Sequence, residues 1–132
     1  MTLKTIGWAT LALAVVFGAG WFVGASGRSE IEQARRSATE RATFEEALAL
    51  ISDGRVKLFT INFGDASKRF ESAKGVVTRL QTTLREAGQA ERAGRLEIVL
   101  AHLRDAQRLA ASTDQSAQNA AEQALTALDG IK

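Results

Sequence analysis

The chain has 132 residues and a formal net charge of +2, from 17 basic and 15 acidic side chains. It contains no proline, cysteine or tyrosine, and the remainder after residue 28 is rich in alanine, leucine, glutamate, arginine and glutamine, a composition typical of helices. We therefore predict an all-α protein with one small domain. The interspersed, nearly balanced charges give no electrostatic basis for nucleic-acid binding. The lack of cysteine excludes disulfides, thiolate metal sites and cysteine nucleophiles.

The first long segment is uncharged, since no ionisable side chain stands between Lys4 and Arg28. A helix over residues 5–27 would reach about 35 Å, enough to cross a hydrocarbon core of about 30 Å. Trp8 and Trp21 lie towards its two ends, where aromatic rings favour the boundary between water and lipid. The sequence therefore predicts a transmembrane helix, preceded by a short N-terminal tail at residues 1–4.

Cleavage and orientation both leave alternatives open. Val23 and Ala25 fit the small-residue pattern of a signal-peptide cleavage site after Ala25, and cleavage there would release a soluble periplasmic helical protein. The apolar run exceeds the about 7–15 residues of a cleaved segment, which favours an uncleaved signal anchor. The short basic N-terminus favours a single-pass protein of the inner membrane with an extracytoplasmic C-terminal domain, whereas the arginines after the span favour the opposite orientation.

Small residues within the transmembrane segment offer positions for close helix approach. Gly20 and Gly24 form a G-x-x-x-G pair, and Ala14 with Gly18 forms a second pair of small residues. Such pairs allow two transmembrane helices to pack closely. Glycine and alanine are also simply common in transmembrane helices. Pairing through Gly20 and Gly24 is therefore a hypothesis, which their replacement by leucine tests in a dimerisation assay.

Residues 28–60 are predicted to form a juxtamembrane helix or stalk. Most of its first apolar positions are alanine, so this helix offers little surface to bury and is expected to stand alone or to pair with a second copy. From Phe44 the apolar face thickens, and we expect it to continue through Phe59 and Ile61. Gly54 predicts an interruption at residues 52–55, because glycine costs about 1 kcal/mol relative to alanine inside a helix.

The clearest periodic pattern lies in residues 61–132, the predicted helical bundle domain. Apolar residues recur at alternating steps of three and four, as in a coiled coil. Asn62 is expected to cap this helix and Gly88 to end it. Two more helices follow, the last with a start signal at residues 112–114, and their short connections predict antiparallel packing in a hairpin or bundle. The predicted helix seam consists of Phe63, Ala66, Phe70, Ala73, Val77, Leu80 and Leu84.

The residues NFGDASKRFESAK, at 62–74, resemble the second helix of a tetratricopeptide repeat, with Ala66, Phe70 and Ala73 at its packing positions. The resemblance implies a TPR-like helical hairpin of the kind that binds peptides. Residues 53–57 depart from the pattern expected of the preceding helix, and no ligand-binding residue carries over. In layout, the chain also resembles short single-pass bacterial envelope proteins, which implies scaffolding or partner binding.

Catalytic signatures are absent from the sequence. His102 is the single histidine, too few nitrogen ligands for a histidine metal site within one chain, and no P-loop, G-x-G-x-x-G, G-x-S-x-G or H-E-x-x-H string occurs. We therefore expect no enzyme activity, cofactor, metal or small-molecule substrate. The expected function is a membrane-anchored scaffold or protein-interaction module, with membrane lipid and a protein partner or second copy as its partners. A ligand-sensing helical bundle is the alternative.

Overall fold

The structure is a computed structural model that describes the backbone of residues 3–132 and the side chains of residues 27–132. The prediction of an all-α protein is confirmed, and no strand occurs in the described backbone. The chain forms two compact units, residues 1–38 and residues 39–132. Its helices are α1 (Leu3–Phe59), α2 (Phe63–Glu86), α3 (Ala90–Ala111) and α4 (Ala117–Asp129).

The predicted transmembrane segment falls almost entirely on residues whose side chains lie outside the described part of the chain. This holds for residues 5–26 and so for the packing residues Ala14, Gly18, Gly20 and Gly24. Among the residues described, no helix has both the length and the apolar character that a bilayer crossing requires. In the same unit, the side chains of residues 28–38 are all exposed, as expected for a helix with little apolar surface.

Residues 39–132 form a helical bundle in which the last part of α1 packs antiparallel to α2. Arg79 of α2 pairs with Glu46 of α1 at 3.1 Å. Arg69, earlier in α2, pairs with Asp53, later in α1, at 2.7 Å. The two helices therefore run in opposite directions, as their short connection requires.

The remaining helices complete an up-down-up-down arrangement. The amide Nε2 of Gln81, a buried side chain of α2, donates to the carbonyl oxygen of Ala93 at 3.0 Å and to the Glu97 carboxylate at 2.7 Å on α3. Helix α3 packs in turn against α4. Arg55 of α1 lies 3.3 Å from Glu122 of α4, so the first helix also meets the last. The bundle is therefore a closed ring of four helices.

The core of the bundle combines many alanines with a few bulky side chains. Small residues allow helices to approach closely, and the bulky ones fill the space between them to the density of a protein interior. Ala66, Phe70, Ala73, Val77, Leu80 and Leu84 of the predicted seam are buried, and Phe63 is partly buried against them. The largest fully buried side chains are Phe70, Ile51, Leu80, Leu84, Leu96, Leu103, Leu128, Val77 and Val99.

The predicted interruption at residues 52–55 is wrong, since α1 continues through them. The ring of Phe70 occupies the space that a side chain at position 54 would need: a Cβ on Gly54 would lie 2.6 Å from Cε1 of the ring. Glycine thus permits close contact between α1 and α2 instead of ending the helix. Asp53 and Arg55, on either side of it, form the ion pairs with α2 and α4.

The helix ends follow the predicted capping residues. Asn62 Oδ1 accepts the N–H of Asp65 at 3.2 Å at the start of α2. Gly88, just past its end, has a φ of 75°. Before α4, the Asp114 carboxylate accepts the N–H of Ser116 at 2.8 Å. The start signal predicted at residues 112–114 therefore acts in the turn ahead of the helix.

The apolar face of α1 leaves the core earlier than expected. Phe44, Ile51 and Leu58 are buried, but Phe59 and Ile61 are 71% and 75% exposed. Because α1 ends at Phe59 and the chain then reverses direction, the last apolar residues of the pattern point out of the bundle. These two side chains were expected on the buried face, and that expectation is wrong.

Candidate functional site

One end of the bundle, which we call the tip, consists of the last turn of α1 from Val56, the turn between α1 and α2 at residues 60–62, and the turn between α3 and α4 at residues 112–116. Both turns contribute to a cleft of about 360 Å³. This volume lies in the lower part of the range of about 300–1,000 Å³ for ligand pockets. The cleft is lined by Leu58, Phe59, Ile61, Phe63, Gln115 and Gln118.

The two turns of the tip expose apolar side chains and carry little charge. Phe59 and Ile61 project beside the cleft, and Val56, one turn earlier on α1, is 56% exposed. Residues 59–64 carry no charge, and residues 112–118 carry a single one, on Asp114. An apolar centre depleted of charge and surrounded by polar groups is typical of the central part of a protein interface.

All three connections between helices use one backbone arrangement, the Schellman motif, in which the second residue after the helix is left-handed. In the first turn, the N–H of Ile61 donates to the carbonyl oxygen of Leu58 at 3.0 Å, and the N–H of Asn62 donates to that of Lys57 at 2.8 Å. The left-handed residues of the three turns are Ile61 (φ 58°), Gly88 (φ 75°) and Thr113 (φ 55°).

Ile61 and Thr113 are unusual at these positions. A Cβ in left-handed backbone costs about 1–2 kcal/mol, so glycine is favoured there, and a β-branched residue with positive φ is an outlier. Only the turn with Gly88 follows this preference; the two turns of the tip do not. The exposed Ile61 side chain gains little burial to offset the strain. Since backbone strain concentrates at functional sites, the tip is the candidate interaction surface.

Two polar atoms near the tip have no hydrogen-bond partner within the described part of the chain. They are the side-chain oxygen of Gln118, which lines the cleft, and Nε of Arg55, one turn before Leu58 on α1. Both atoms are buried. A buried polar atom without a partner is destabilising, so these two atoms are a local cost of the packing between α1 and α4.

Asp114 supplies the single charge of the tip turns. The backbone N–H of Ser116 donates to its carboxylate and lowers the pKa of Asp114 below the ordinary value, with the Ser116 hydroxyl acting in the same direction. The carboxylate is therefore ionised at neutral pH and fixes the backbone of the turn. It is part of the scaffold of the tip.

The opposite end, which we call the base, is charged and held together by hydrogen bonds. Its cleft of about 320 Å³ is lined by Glu40, Arg41, Phe44, Glu45, Arg92 and Lys132. Arg92 donates to the Glu40 carboxylate at 2.7 Å, to the carbonyl oxygen of Ile131 at 3.2 Å and to the Gln89 side chain. These bonds join α1, the α2–α3 turn and the C-terminal residues through the Arg92 guanidinium.

No metal-binding arrangement accompanies these clefts among the side chains of residues 27–132. No group of three or more histidine, cysteine, aspartate or glutamate side chains is placed to bind a metal there. His102 is half-buried on α3. The tip is not evident from the sequence, because Phe59 and Ile61 extend the apolar pattern of α1. The signal that could have revealed it is Ile61 directly before the capping residue Asn62, where a helix end favours glycine.

Comparison with protein-family models, with curated proteins and with solved structures finds no match for the chain. The resemblance of residues 62–74 to a tetratricopeptide-repeat helix therefore stays a prediction.

Proposed function

We propose that this chain is a non-enzymatic, membrane-anchored helical module that engages another protein through its bundle. The observation that carries the proposal is the exposed apolar surface of the tip, where Phe59 and Ile61 are 71% and 75% exposed. Clustered exposed apolar residues typically mark interaction sites. Here they lie beside a cleft, next to turns that hold Ile61 and Thr113 in left-handed backbone. The surface therefore has both a concave shape and a backbone strain that stability alone would not favour.

The bundle supports this function by rigidity. The alanine-rich packing of α2, with Phe70 against Gly54, holds α1 and α2 in close contact. The amide of Gln81 ties α2 to α3. A surface that is ordered before binding loses less conformational entropy when a partner arrives. The coiled-coil-like seam residues serve in this proposal as packing that holds the tip in shape.

The anchor in this proposal is the uncharged run at residues 5–27, whose length suits a bilayer. The short basic N-terminus favours an inner-membrane protein with the bundle on the extracytoplasmic side. Gly20 and Gly24 would give the anchor a face for pairing with another helix. Residues 28–38, whose side chains are exposed, connect the anchor and the bundle along the chain.

Membrane fractionation combined with intact-mass measurement tests the anchor. We expect the full-length mass in the membrane fraction after washing at alkaline pH, and digestion of the bundle by protease added from the extracytoplasmic side. Recovery of the intact chain in the aqueous fraction would contradict the anchor. A mass that begins after Ala25 would favour the secreted alternative, and protection of the bundle from protease would reverse the orientation.

A further inference from the structure

The tip presents one shaped apolar surface, and its residues narrow the chemistry of what binds there. Phe59 and Ile61 flank a cleft whose floor includes Leu58 and the partly buried Phe63. Its volume of about 360 Å³ accommodates a bulky side chain but not a folded element. The part of the occupant that enters the cleft must therefore be an apolar group of side-chain size.

A lipid surface fits the tip poorly. Segments that dock on membranes combine apolar residues with lysine or arginine, which attract anionic headgroups. Residues 59–64 and 112–118 contain no lysine or arginine, and their one charge is the acidic Asp114. Lys57 lies beside the cleft, but the two turns themselves lack the cluster of basic residues that membrane docking uses, so an uncharged polypeptide surface is the better match.

A stable pair of tips from two copies of this chain also fits poorly. A standard interface buries about 800 Å² on each partner, whereas a large aromatic side chain contributes about 150–250 Å². The exposed apolar residues of the tip are Val56, Phe59 and Ile61, one aromatic and two smaller side chains. Their combined area is below what a stable dimer of folded units needs, but it suffices for a short segment of another chain.

The polar lining of the cleft is uncharged. Gln115 and Gln118 contribute side-chain amides to it. A polypeptide backbone can donate to and accept from amide groups, whereas a lipid acyl chain can do neither. The cleft therefore combines an apolar space with amide groups, which suits a side chain together with its own backbone.

The geometry points to a peptide-binding site: the tip cleft binds a short segment of another polypeptide that inserts one bulky apolar side chain between the two turns. Ile61 is the principal contact, held in left-handed backbone because its branched side chain forms the wall of the cleft. The inference rests on the proposed function, since it specifies the surface and the partner chemistry of that interaction.

A titration of the full chain in lipid nanodiscs tests this directly, with methyl NMR as the readout. The probe is N-acetyl-leucine methylamide, which carries an apolar side chain and backbone N–H donors. We expect saturable shifts of the Ile61 and Leu58 methyl signals and none at Ile98, which is exposed outside the tip. N-acetyl-lysine methylamide should bind about tenfold more weakly, because it lacks the apolar transfer energy. Equal binding of the two probes would overturn the inference.

Ile61→Gly separates binding from folding. This variant removes the cleft wall together with the backbone strain, so we expect it to melt above the parent chain while binding the leucine probe about fivefold or more weakly. Ile98→Ser is the matched control, which removes an exposed isoleucine elsewhere and should leave the affinity unchanged. Undiminished probe binding by Ile61→Gly, or equal losses in the two variants, would overturn the inference.

Photo-crosslinking in cells identifies the class of occupant. With p-benzoylphenylalanine in place of Phe59, we expect adducts with a different polypeptide that disappear when Ile61→Gly is added, and none from the same group in place of Ile98. Adducts with lipid or with a second copy, or no adduct at all, would overturn the inference. Membrane fractionation distinguishes the two proposals: a chain that stays in the membrane but fails these tests refutes the tip site alone.

Discussion

The two ends of the bundle are built on the same backbone turn and yet have opposite surfaces. At the base, the left-handed position is Gly88, and Arg92 donates hydrogen bonds to Glu40 and to the carbonyl oxygen of Ile131. At the tip, the same positions are Ile61 and Thr113, and the surface is apolar and open. The base has glycine at the left-handed position, as a stable helix end favours. The tip has β-branched residues there, and Ile61 is exposed.

This contrast shows that the fold does not require the residues of the tip. One core supports both ends, and both use Schellman turns, so the backbone geometry would accept glycine at Ile61 as it does at Gly88. The choice of isoleucine at position 61 and glycine at position 88 therefore reflects the surface chemistry of each end, not the backbone geometry.

The largest effect is expected where α1 meets α2, in the frame that both ends share. Phe70→Ala empties the space beside Gly54 and should lower the free energy of unfolding by about 3–5 kcal/mol, measured by chemical denaturation. Gly54→Ala should also destabilise, by about 1–3 kcal/mol, because its Cβ would meet the Phe70 ring.

Gly94→Ala is the matched control for this contact, since a Cβ at that helical position meets nothing within 4 Å. It should stabilise the chain by about 0.5–1 kcal/mol, the ordinary gain of replacing glycine within a helix. If Gly54→Ala stabilised as much as Gly94→Ala, the close contact would be absent, and the two ends would lose their common frame.

At the base, Arg92→Met removes the hydrogen bonds that join three segments. Arg92 and Glu40 have side-chain exposures of 34% and 21%, so a loss of about 1–2 kcal/mol is expected from partly buried bonds to a charged group. Arg79→Met is the control, because its pair with Glu46 is more than half exposed on both sides and should contribute below about 1 kcal/mol. Equal losses in denaturation would contradict the special role of the base.

Placing isoleucine, the residue of the tip, at the left-handed position of the base tests whether that backbone disfavours a β-branched side chain. Gly88→Ile places a β-branched side chain in left-handed backbone and should destabilise the bundle by about 1–2 kcal/mol. Ala87→Ile, one residue earlier at φ −80°, should change stability by about 0.5 kcal/mol or less, as an exposed substitution. Thermal melts that fail to separate these two variants would show that the turn carries no strain.

The smallest effect concerns pH and the turn of Asp114. Since the folded state lowers the pKa of Asp114, through the N–H of Ser116, its stabilising contribution is present above the unfolded value of about 4 and is lost as pH falls through the folded pKa. Asp114→Asn should therefore reduce the drop in the denaturation midpoint between neutral and acidic pH. Glu45→Gln is the control, because it makes the same change of charge elsewhere, and its denaturation midpoint should fall more between neutral and acidic pH than that of Asp114→Asn. A smaller fall in Glu45→Gln than in Asp114→Asn would contradict the role of Asp114 in the turn.

Much of the helical architecture could be predicted because its signals are local. The cap at Asn62 and the glycine at Gly88 mark the two ends of α2, and the alternating apolar residues between them predict the buried side of the helix. Each of these features depends on neighbours within a few positions in sequence. The sequence alone therefore located α2 and the two helices after it.

The parts that could not be predicted depend on contacts distant in sequence. Gly54 suggested a break because its favourable role appears only when Phe70 of the next helix lies against it. Arg92 was one of many surface charges until the fold brought Glu40 and the C-terminal residues to it. Phe59 and Ile61 matched the apolar pattern of a buried face, and only the end of the helix shows that they lie outside the core.

The most direct test of the central claim, that the tip retains strain for the sake of its surface, is the free energy of unfolding of Ile61→Gly relative to the parent chain. Relief of the left-handed isoleucine should raise it by about 1 kcal/mol, although an apolar side chain is removed. A value equal to or below that of the parent would mean that Ile61 contributes to folding, and would contradict the account of the tip as a surface kept for binding.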